Sequence, residues 1–167
     1  TYAGDPRNVS NLAEGDVYRF VRGDVADREL VHRLFEEERP QCVVHLAAES
    51  HVDRSIHDPV PFLQANVLGA QVLLEASRAF GVERFLYVST DEVYGDVGAD
   101  GTERSEVSPL QPSNPYSVSK AAADLMTQAY HRTYGLATLI VRPCNHYGPR
   151  QFVEKLIPLM ILNALEG

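Results

Sequence analysis

Short apolar runs recur along the chain, and their pattern is typical of β-strands. They cover residues 17–21, 42–47, 84–89 and 137–141. The run at 42–47 is apolar without alternation, as in a strand that is buried on both faces of a parallel sheet. Cys42 and Cys144 lie in or just after such runs, so we expect them to be reduced, buried thiols.

Helical patterns separate these strands. Asp27 is expected to cap the first helix, which ends before Pro40. A long helix at 60–80 is expected to end at Gly81 in the left-handed conformation. Two more helices are predicted, one at 115–134 that begins with Pro115 and ends at Gly135, and one at 154–166. A polar segment lies at 49–55 and a long loop at 91–112. Strands that alternate with helices predict an α/β fold with a doubly wound, Rossmann-like parallel sheet.

Polar side chains follow each of the predicted strands. Asp24 comes after the first strand, residues 49–55 after the second, residues 90–92 after the third, and Asn145 with His146 after the fourth. In a doubly wound parallel sheet, ligands bind beyond the carboxyl ends of the strands. We therefore expect these four segments to converge on one edge of the sheet.

Composition and charge narrow the class of protein. A net charge of −8 without a local basic cluster argues against nucleic acid binding. No apolar run is long enough to span a membrane and no signal peptide is evident, which favours a cytoplasmic protein. His51 and His57 are spaced too widely for a compact metal site.

Glycines with the spacing of a dinucleotide-binding loop occur at Gly95, Gly98 and Gly101. A phosphate-binding loop must open directly into a helix, whereas this segment leads into loop-like sequence. Asp96 and Asp100 would also repel a phosphate group. We therefore expect a flexible loop here and no phosphate site.

Both ends of the chain indicate a piece of a longer protein. The chain begins without methionine, in residues typical of a turn, and it stops where a helix would end. We expect residues 1–150 to be a partial nucleotide-binding domain that is incomplete at its N-terminal βα unit, with the phosphate-binding loop upstream. Residues 151–167 would begin a second, sugar-nucleotide-binding region.

Tyr116 and Lys120 lie one helical turn apart near the start of a predicted helix, so their side chains share one face. An ammonium group, together with a positively charged nicotinamide, would lower the pKa of the Tyr116 phenol towards the working pH. Such a pair alone occurs on many exposed helices. Ser89 and Thr90, at the end of a buried strand upstream, make a proton-relay site the better interpretation.

The set Thr90, Tyr116 and Lys120 resembles the extended short-chain dehydrogenase/reductases that act on nucleotide sugars. Within that superfamily, four motifs are most similar to the dTDP-glucose 4,6-dehydratases. They are His45-Leu-Ala-Ala-Glu-Ser-His-Val-Asp-Arg-Ser55, Ser89-Thr-Asp-Glu-Val-Tyr-Gly95, Asn145-His-Tyr-Gly-Pro149 and Phe152-Val-Glu-Lys-Leu-Ile-Pro158. The resemblance covers nearly the whole chain.

This resemblance implies NAD-dependent dehydration of a dTDP-hexose, dTDP-glucose, to its 4-keto-6-deoxy product. Tyr116 would take the proton of the sugar 4-hydroxyl, which Thr90 holds, as hydride passes from C4 to NAD⁺. Lys120 would hold the nicotinamide ribose. Glu92 would remove the C5 proton, and Asp91 would protonate the departing C6 hydroxyl. Hydride would then return to C6, which regenerates NAD⁺.

The same resemblance implies the binding residues. Cofactor contacts would be Asp24, Val25, Leu46, Ala47, Ala48, Ser50, Tyr116, Lys120 and His146. Substrate contacts would be Ser50, Thr90, Asn145, Lys155, Leu156 and Pro158. His146 and Ala65 depart from the asparagine and the hydroxyl residue that are common in the family at these positions. The helices at 60–80 and 115–134 would form a homodimer interface.

Two alternatives stay open at this point. Sugar 4-epimerases resemble this chain but usually carry small or neutral residues at positions 91 and 92, so a 4-epimerase or decarboxylase acting on a UDP-sugar is one alternative. The other is a non-catalytic piece, in which residues 1–167 alone bind NAD weakly and turn nothing over.

Overall fold

The computed structural model describes residues 2–12, 18–96, 101 and 103–167. It confirms the predicted α/β class, because parallel strands alternate with helices along the chain. Its contacts divide the chain into two units, Gly23–Cys144 and Thr1–Arg22 with Asn145–Gly167. The boundary expected at residue 150 stays a prediction.

Three parallel strands form the sheet of the larger unit. They are β1 (Cys42–His45), β2 (Arg84–Val88) and β3 (Thr138–Val141), in the spatial order β1-β2-β3. Val43 pairs with Phe85, and Phe85 pairs with Thr138. Because β2 is central, the residues that follow it lie between the ends of two neighbouring strands.

The strand predicted at 17–21 is wrong for the residues that the structure describes. Tyr18 forms an isolated bridge and residues 19–24 have no regular structure, while Val17 lies outside the described residues. Alternation of apolar side chains favours a strand only where a neighbouring strand accepts its hydrogen bonds. Asp24 therefore does not follow a described strand.

The helices of the larger unit follow local signals in the sequence. They are α1 (Arg28–Glu38), α2 (Val52–His57), α3 (Val60–Phe62), α4 (Gly69–Ala79) and α5 (Pro115–Tyr134). Asp27 caps α1 by accepting a hydrogen bond from the Leu30 amide, as predicted. Gly81 and Gly135 both adopt the left-handed conformation predicted after a helix.

The smaller unit contains a 3₁₀ helix, Pro6–Val9, and the helix α6, Leu156–Glu166. The prediction of a last helix at 154–166 is therefore confirmed except at its first turn. Of the helices in the described ranges, none is both long and apolar enough to cross a membrane.

Two segments near the sheet edge differ from the prediction. The helix α2 begins within the polar segment 49–55, and its N-cap residue His51 makes no capping bond through its side chain. The sequence around α2 carries neither a preferred N-cap residue nor apolar side chains at helical spacing, so it did not predict this helix. The helix predicted at 60–80 is interrupted by the π-helical segment Leu63–Leu68, which apolar spacing does not reveal.

One face of the sheet carries the main core. Phe85 and Tyr87 of β2 are buried against Leu74 of α4 and Ala123 of α5. A second cluster packs α1 against α4. These contacts hold α5 against the central strand, which sets the position of every functional side chain that α5 carries.

The opposite face is open, and two predictions fail there. Val44 of β1 and Leu139 of β3 are 57% and 59% exposed. Cys42 and Cys144 are free, as expected, but both are exposed instead of buried. Val44, Leu139 and Cys42 are exposed because, within the described part of this unit, helices pack on the face of Phe85 and not on that of Val44. Cys144 lies beyond the end of β3.

Candidate active site

A short 3₁₀ helix, Asp91–Tyr94, begins directly after the central strand. Thr90 caps it, since its hydroxyl oxygen accepts from the Glu92 amide at 3.3 Å. The same hydroxyl lies 3.3 Å from Asp91 Oδ1 and also hydrogen-bonds the phenol of Tyr116. Thr90 therefore joins the acid pair Asp91 and Glu92 to the helix α5.

Each member of the acid pair has its own neighbours. Asn114 Nδ2 donates to Glu92 Oε2 at 3.3 Å. The Cys144 thiol hydrogen-bonds the Asp91 side chain, and this contact raises the pKa of Cys144. The Asp91 amide donates to the Pro143 carbonyl at 3.1 Å. The two carboxylates therefore lie in different surroundings, which suits different roles in proton transfer.

The start of α5 is held by a capping box. Asn114 Oδ1 accepts from the Ser117 amide at 2.8 Å, and Ser117 Oγ accepts from the Asn114 amide at 3.1 Å. Pro115 occupies the first helical turn. The Tyr116 amide donates to the buried Ser55 Oγ of α2 at 3.1 Å. The backbone that carries the phenol is therefore fixed by its own capping box and by α2, which is distant in sequence.

The phenol of Tyr116 has a raised pKa, and the lowering expected beside a bound nicotinamide stays a prediction. Burial is the main cause, the hydrogen bond with Thr90 opposes it, and the carboxylates of Glu92 and Asp91 add to the rise. Lys120 is not among the groups that shift this pKa, and its ammonium donates to the Val88 carbonyl at 2.6 Å. The phenol is therefore protonated near neutral pH in this structure.

Lys120 is only 3% exposed, and desolvation lowers its pKa to about 8, with Asp124 acting in the opposite direction. Its Nζ lies 4.6 Å from the centre of the Tyr87 ring. His45 is equally buried, and burial followed by the Lys120 charge lowers its pKa to about 4. Among the described residues, His45 Nε2 and Ser89 Oγ find no hydrogen-bond partner.

Asn66 of the π-helical segment Leu63–Leu68 hydrogen-bonds the backbone of the loop after β1. Asn66 Oδ1 accepts from the Glu49 amide at 2.8 Å, and its Nδ2 donates to the Glu49 carbonyl at 2.9 Å. Asn66 Nδ2 also lies 2.8 Å from Ser119 Oγ of α5. A side chain on Gly69 would come within 2.6 Å of Val25. In the same loop, Leu46, Ala47 and Ser50 are exposed at the sheet edge.

Some of the predicted site residues lie in the larger unit, and others lie in the smaller unit. Thr90, Asp91, Glu92 and Tyr116 form one cluster, with Lys120 one helical turn beyond Tyr116. Leu46 to Ser50 lie at the end of β1, and Asp24 and Val25 precede α1. Asn145, His146, Lys155, Leu156 and Pro158 lie in the smaller unit, where Lys155 is the N-cap of α6. Their roles stay predictions.

The glycine segment can be described only in part. Gly95 and Gly101 have φ angles of 77° and 67°, while Gly98 and Asp100 lie outside the described residues. A side chain at Gly95 would meet the Gln111 carbonyl at 2.2 Å. A glycine at position 95 therefore lets the Gln111 backbone approach closely at the end of the 3₁₀ helix.

Several polar residues that support the site escaped the sequence interpretation. Ser55, Asn66 and Cys144 contact site segments from distant parts of the chain, and nothing in their local sequence signals these contacts. Asn114 was recognisable as a residue at a helix start, but its contact with Glu92 was not. Beside the acid pair lies a cavity of about 1150 Å³, which is lined by Asp91, Glu92, Arg104, Glu106, Arg142 and Cys144 among others.

Comparison with known proteins is consistent with this geometry. The family model described as GDP-mannose 4,6 dehydratase matches residues 2–167. A dTDP-glucose 4,6-dehydratase of Neisseria meningitidis is 48% identical over the whole of this chain, which covers 50% of that protein. The chain thus spans about half the length of the curated relatives it matches.

Solved structures show the same similarity. A dTDP-glucose 4,6-dehydratase from Streptomyces venezuelae, solved with NAD bound, is 48% identical with a TM-score of 0.92, and the match covers 100% of this chain and 51% of that one. A Thermus thermophilus UDP-glucose 4-epimerase in complex with NAD is 37% identical with a TM-score of 0.84, covering 96% of this chain and 50% of that one.

Proposed function

Because the chain belongs to the GDP-mannose 4,6 dehydratase family, we propose that the full-length protein dehydrates dTDP-glucose to its 4-keto-6-deoxy product with NAD as cofactor. One observation carries the proposal: the adjacent acids Asp91 and Glu92 begin the 3₁₀ helix whose cap, Thr90, hydrogen-bonds Tyr116. Acids for elimination and a phenol for oxidation thereby share one site. The relatives in the comparison support dTDP-glucose as the sugar nucleotide.

The residues present fit the proposed cofactor. The exposed loop after β1 offers small, uncharged side chains at Ala47 and Ala48, as close approach of a dinucleotide requires. Ser89 Oγ is a buried polar atom with no partner among the described residues, and Lys120 has N–H donors beyond the one that the Val88 carbonyl accepts. Leu46, Ala47, Ala48, Ser50, Tyr116 and Lys120 would hold NAD, together with Asp24, Val25 and His146. When bound, NAD supplies a hydride acceptor and a cationic ring.

The chain's own side chains would handle the protons. Thr90 orients the sugar 4-hydroxyl, and Tyr116 accepts its proton as the phenolate, after the phenol has released its own proton to solvent. Because burial raises the pKa of Tyr116, formation of this phenolate needs positive charge nearby, and Lys120 is mostly protonated at neutral pH with a pKa of about 8. Glu92 takes the C5 proton, and Asp91 donates a proton to the hydroxyl that leaves C6.

The rest of the prediction belongs to the same proposal. Ser50, Thr90, Asn145, Lys155, Leu156 and Pro158 would contact the substrate. Leu68 of the π segment and Val118 of α5 are each 47% exposed, which supports a homodimer through the helices at 60–80 and 115–134. Sedimentation velocity of the full-length protein measures whether it is a dimer.

We also propose a cytoplasmic location, because neither NAD nor a nucleotide sugar diffuses across a membrane.

The competing activity is 4-epimerisation of a UDP-sugar, which the similarity to the Thermus thermophilus enzyme favours. The test incubates full-length protein with dTDP-glucose, GDP-mannose or UDP-glucose and measures the absorbance that a 4-keto sugar develops in base. We expect the signal with dTDP-glucose. A 4-epimer without any keto product would replace the proposed function with the competing one.

Glu92→Gln is expected to abolish solvent-deuterium exchange at C5, because an amide does not accept that proton. General-base removal typically costs about 10²–10⁴-fold in rate. The initial transfer of hydride from C4, followed as transient absorbance of the reduced cofactor, should survive. Glu103→Gln alters another carboxylate of the same cavity and should leave both measurements unchanged. Undiminished exchange in Glu92→Gln would remove Glu92 from this role.

A further inference from the structure

We propose that Arg142, Asp124 and Tyr94 are positioning residues, which set the acid pair Asp91 and Glu92 at the correct distance from Tyr116 and Lys120. This inference rests on the proposed dehydration. It adds three residues that touch none of the reacting atoms but connect the two halves of the chemistry.

The centre of the arrangement is a buried ion pair. Arg142 Nε donates to Asp124 Oδ2 at 2.7 Å, and Arg142 Nη2 donates to Asp124 Oδ1 at 2.9 Å. The Asp124 side chain is fully buried and that of Arg142 is 14% exposed. Two parallel charge-assisted bonds fix the plane of the guanidinium as well as its position.

On one side, the ion pair is attached to the helix with the phenol. Tyr116, Lys120 and Asp124 follow one another at intervals of one helical turn on α5, so they share a face. All three are buried. Asp124 therefore gives Arg142 a position that is defined relative to Tyr116 and Lys120.

On the other side, the segment 142–144 holds both ends of the 3₁₀ helix that carries the acids. Arg142 Nη1 donates to the Tyr94 hydroxyl at 2.7 Å, and the guanidinium carbon lies 5.2 Å from the centre of that ring. The Pro143 carbonyl accepts from the Asp91 amide at 3.1 Å. The first and last residues of the 3₁₀ helix are thus fixed by the same segment.

The geometry distinguishes this role from a contribution to stability alone. A buried ion pair is weak evidence for stability, because the desolvation of both charges offsets their attraction. The Tyr94 hydroxyl, however, connects the pair to the acids specifically. Its removal deletes one hydrogen bond, from Arg142 to the 3₁₀ helix, and keeps the groups that form the ion pair and the contact between the guanidinium and the Tyr94 ring.

The test is Tyr94→Phe in the full-length protein. We expect dehydration and C5 deuterium exchange to slow about tenfold, as for loss of a hydrogen bond to a charged group, while hydride transfer from C4 stays within about twofold. Reduced cofactor should accumulate as a result. Tyr130→Phe is the matched control, because it removes a tyrosine hydroxyl that hydrogen-bonds a charged side chain, Glu75 Oε2 at 3.1 Å, on α5 and not on the 3₁₀ helix. It should change neither rate.

Arg142→Lys keeps the charge but loses the two parallel bonds, so it should show the same selective loss of elimination. Equal slowing of both steps, or unchanged elimination, in Tyr94→Phe would overturn the inference. Hydrogen exchange at the Asp91 and Gly95 amides, measured without substrate, separates it from the proposed function. Faster exchange in Tyr94→Phe than in Tyr130→Phe supports the positioning role even if the wild type makes no keto sugar, and equal exchange overturns it.

Discussion

Burial of the Lys120 side chain disfavours its positive charge. Burial lowers its pKa to about 8, although Asp124 favours the charged form. The ammonium keeps two favourable contacts, the Val88 carbonyl at 2.6 Å and the face of the Tyr87 ring. A lysine close to its pKa at physiological pH can respond to the charge of a ligand, which suits a residue that acts through Tyr116.

Stability should therefore rise with pH between about 8 and 10. Since the pKa of Lys120 is about 8 in the folded chain and 10.5 is its ordinary value, the unfolded chain binds more protons in this window. The slope is at most about 1.4 kcal/mol per pH unit. Above pH 10 the raised pKa values of Tyr87 and Tyr116 act in the opposite direction.

Chemical denaturation of full-length Lys120→Met across this window measures the effect. The variant should lose the slope, whereas Lys155→Met, which alters the partly exposed lysine of the smaller unit, should retain it. An identical slope in wild type and Lys120→Met would contradict the lowered pKa.

At the scale of elements, the start of α5 combines a structural and a functional contact in one side chain. Asn114 caps the helix through Ser117 and also donates to Glu92. The Asp27 side chain caps α1 through the Leu30 amide, and in the described part of the chain it makes no hydrogen bond with the acid pair or Tyr116; only the Asp27 backbone amide contacts a predicted site residue, the Asp24 carbonyl at 3.0 Å. The two caps therefore form a natural comparison.

Asn114→Ala and Asp27→Ala should each lower the free energy of unfolding by about 1 kcal/mol, as for loss of an N-cap. Only Asn114→Ala should also slow C5 exchange, because Glu92 loses its amide donor. Denaturant titration and deuterium incorporation measure the two effects. Equal exchange rates in both variants would show that the contact at 3.3 Å has no part in placing Glu92.

At the scale of the whole molecule, the larger unit holds the acids, the phenol and the lysine. The chain nevertheless spans about half of its relatives. We expect residues 1–167 alone to bind NAD weakly and to turn over no dTDP-glucose, because half of the relatives' length is not represented. Calorimetric titration with NAD and the keto-sugar assay test this expectation. Dehydration by these residues alone would contradict it.

The sequence by itself determined the elements with local signals. Asp27, Pro115, Gly81 and Gly135 begin or end helices by chemistry that each residue carries with it, so these helix ends lie close to where they were predicted. The order of strands and helices likewise predicted the parallel sheet, and the motifs at 45–55, 89–95, 145–149 and 152–158 indicated the family. These properties depend on residues that are close in the chain.

Only the tertiary structure decided the features that depend on distant residues. Burial and the carboxylates of Glu92 and Asp91 raise the pKa of Tyr116, while the Lys120 ammonium donates to the Val88 carbonyl. Val44 is exposed because the described helices of its unit pack on the other face of the sheet. The link from Asp124 through Arg142 to Tyr94 joins three separate elements. Desolvation and side-chain geometry arise only when those elements pack, so no local pattern in the sequence encodes them.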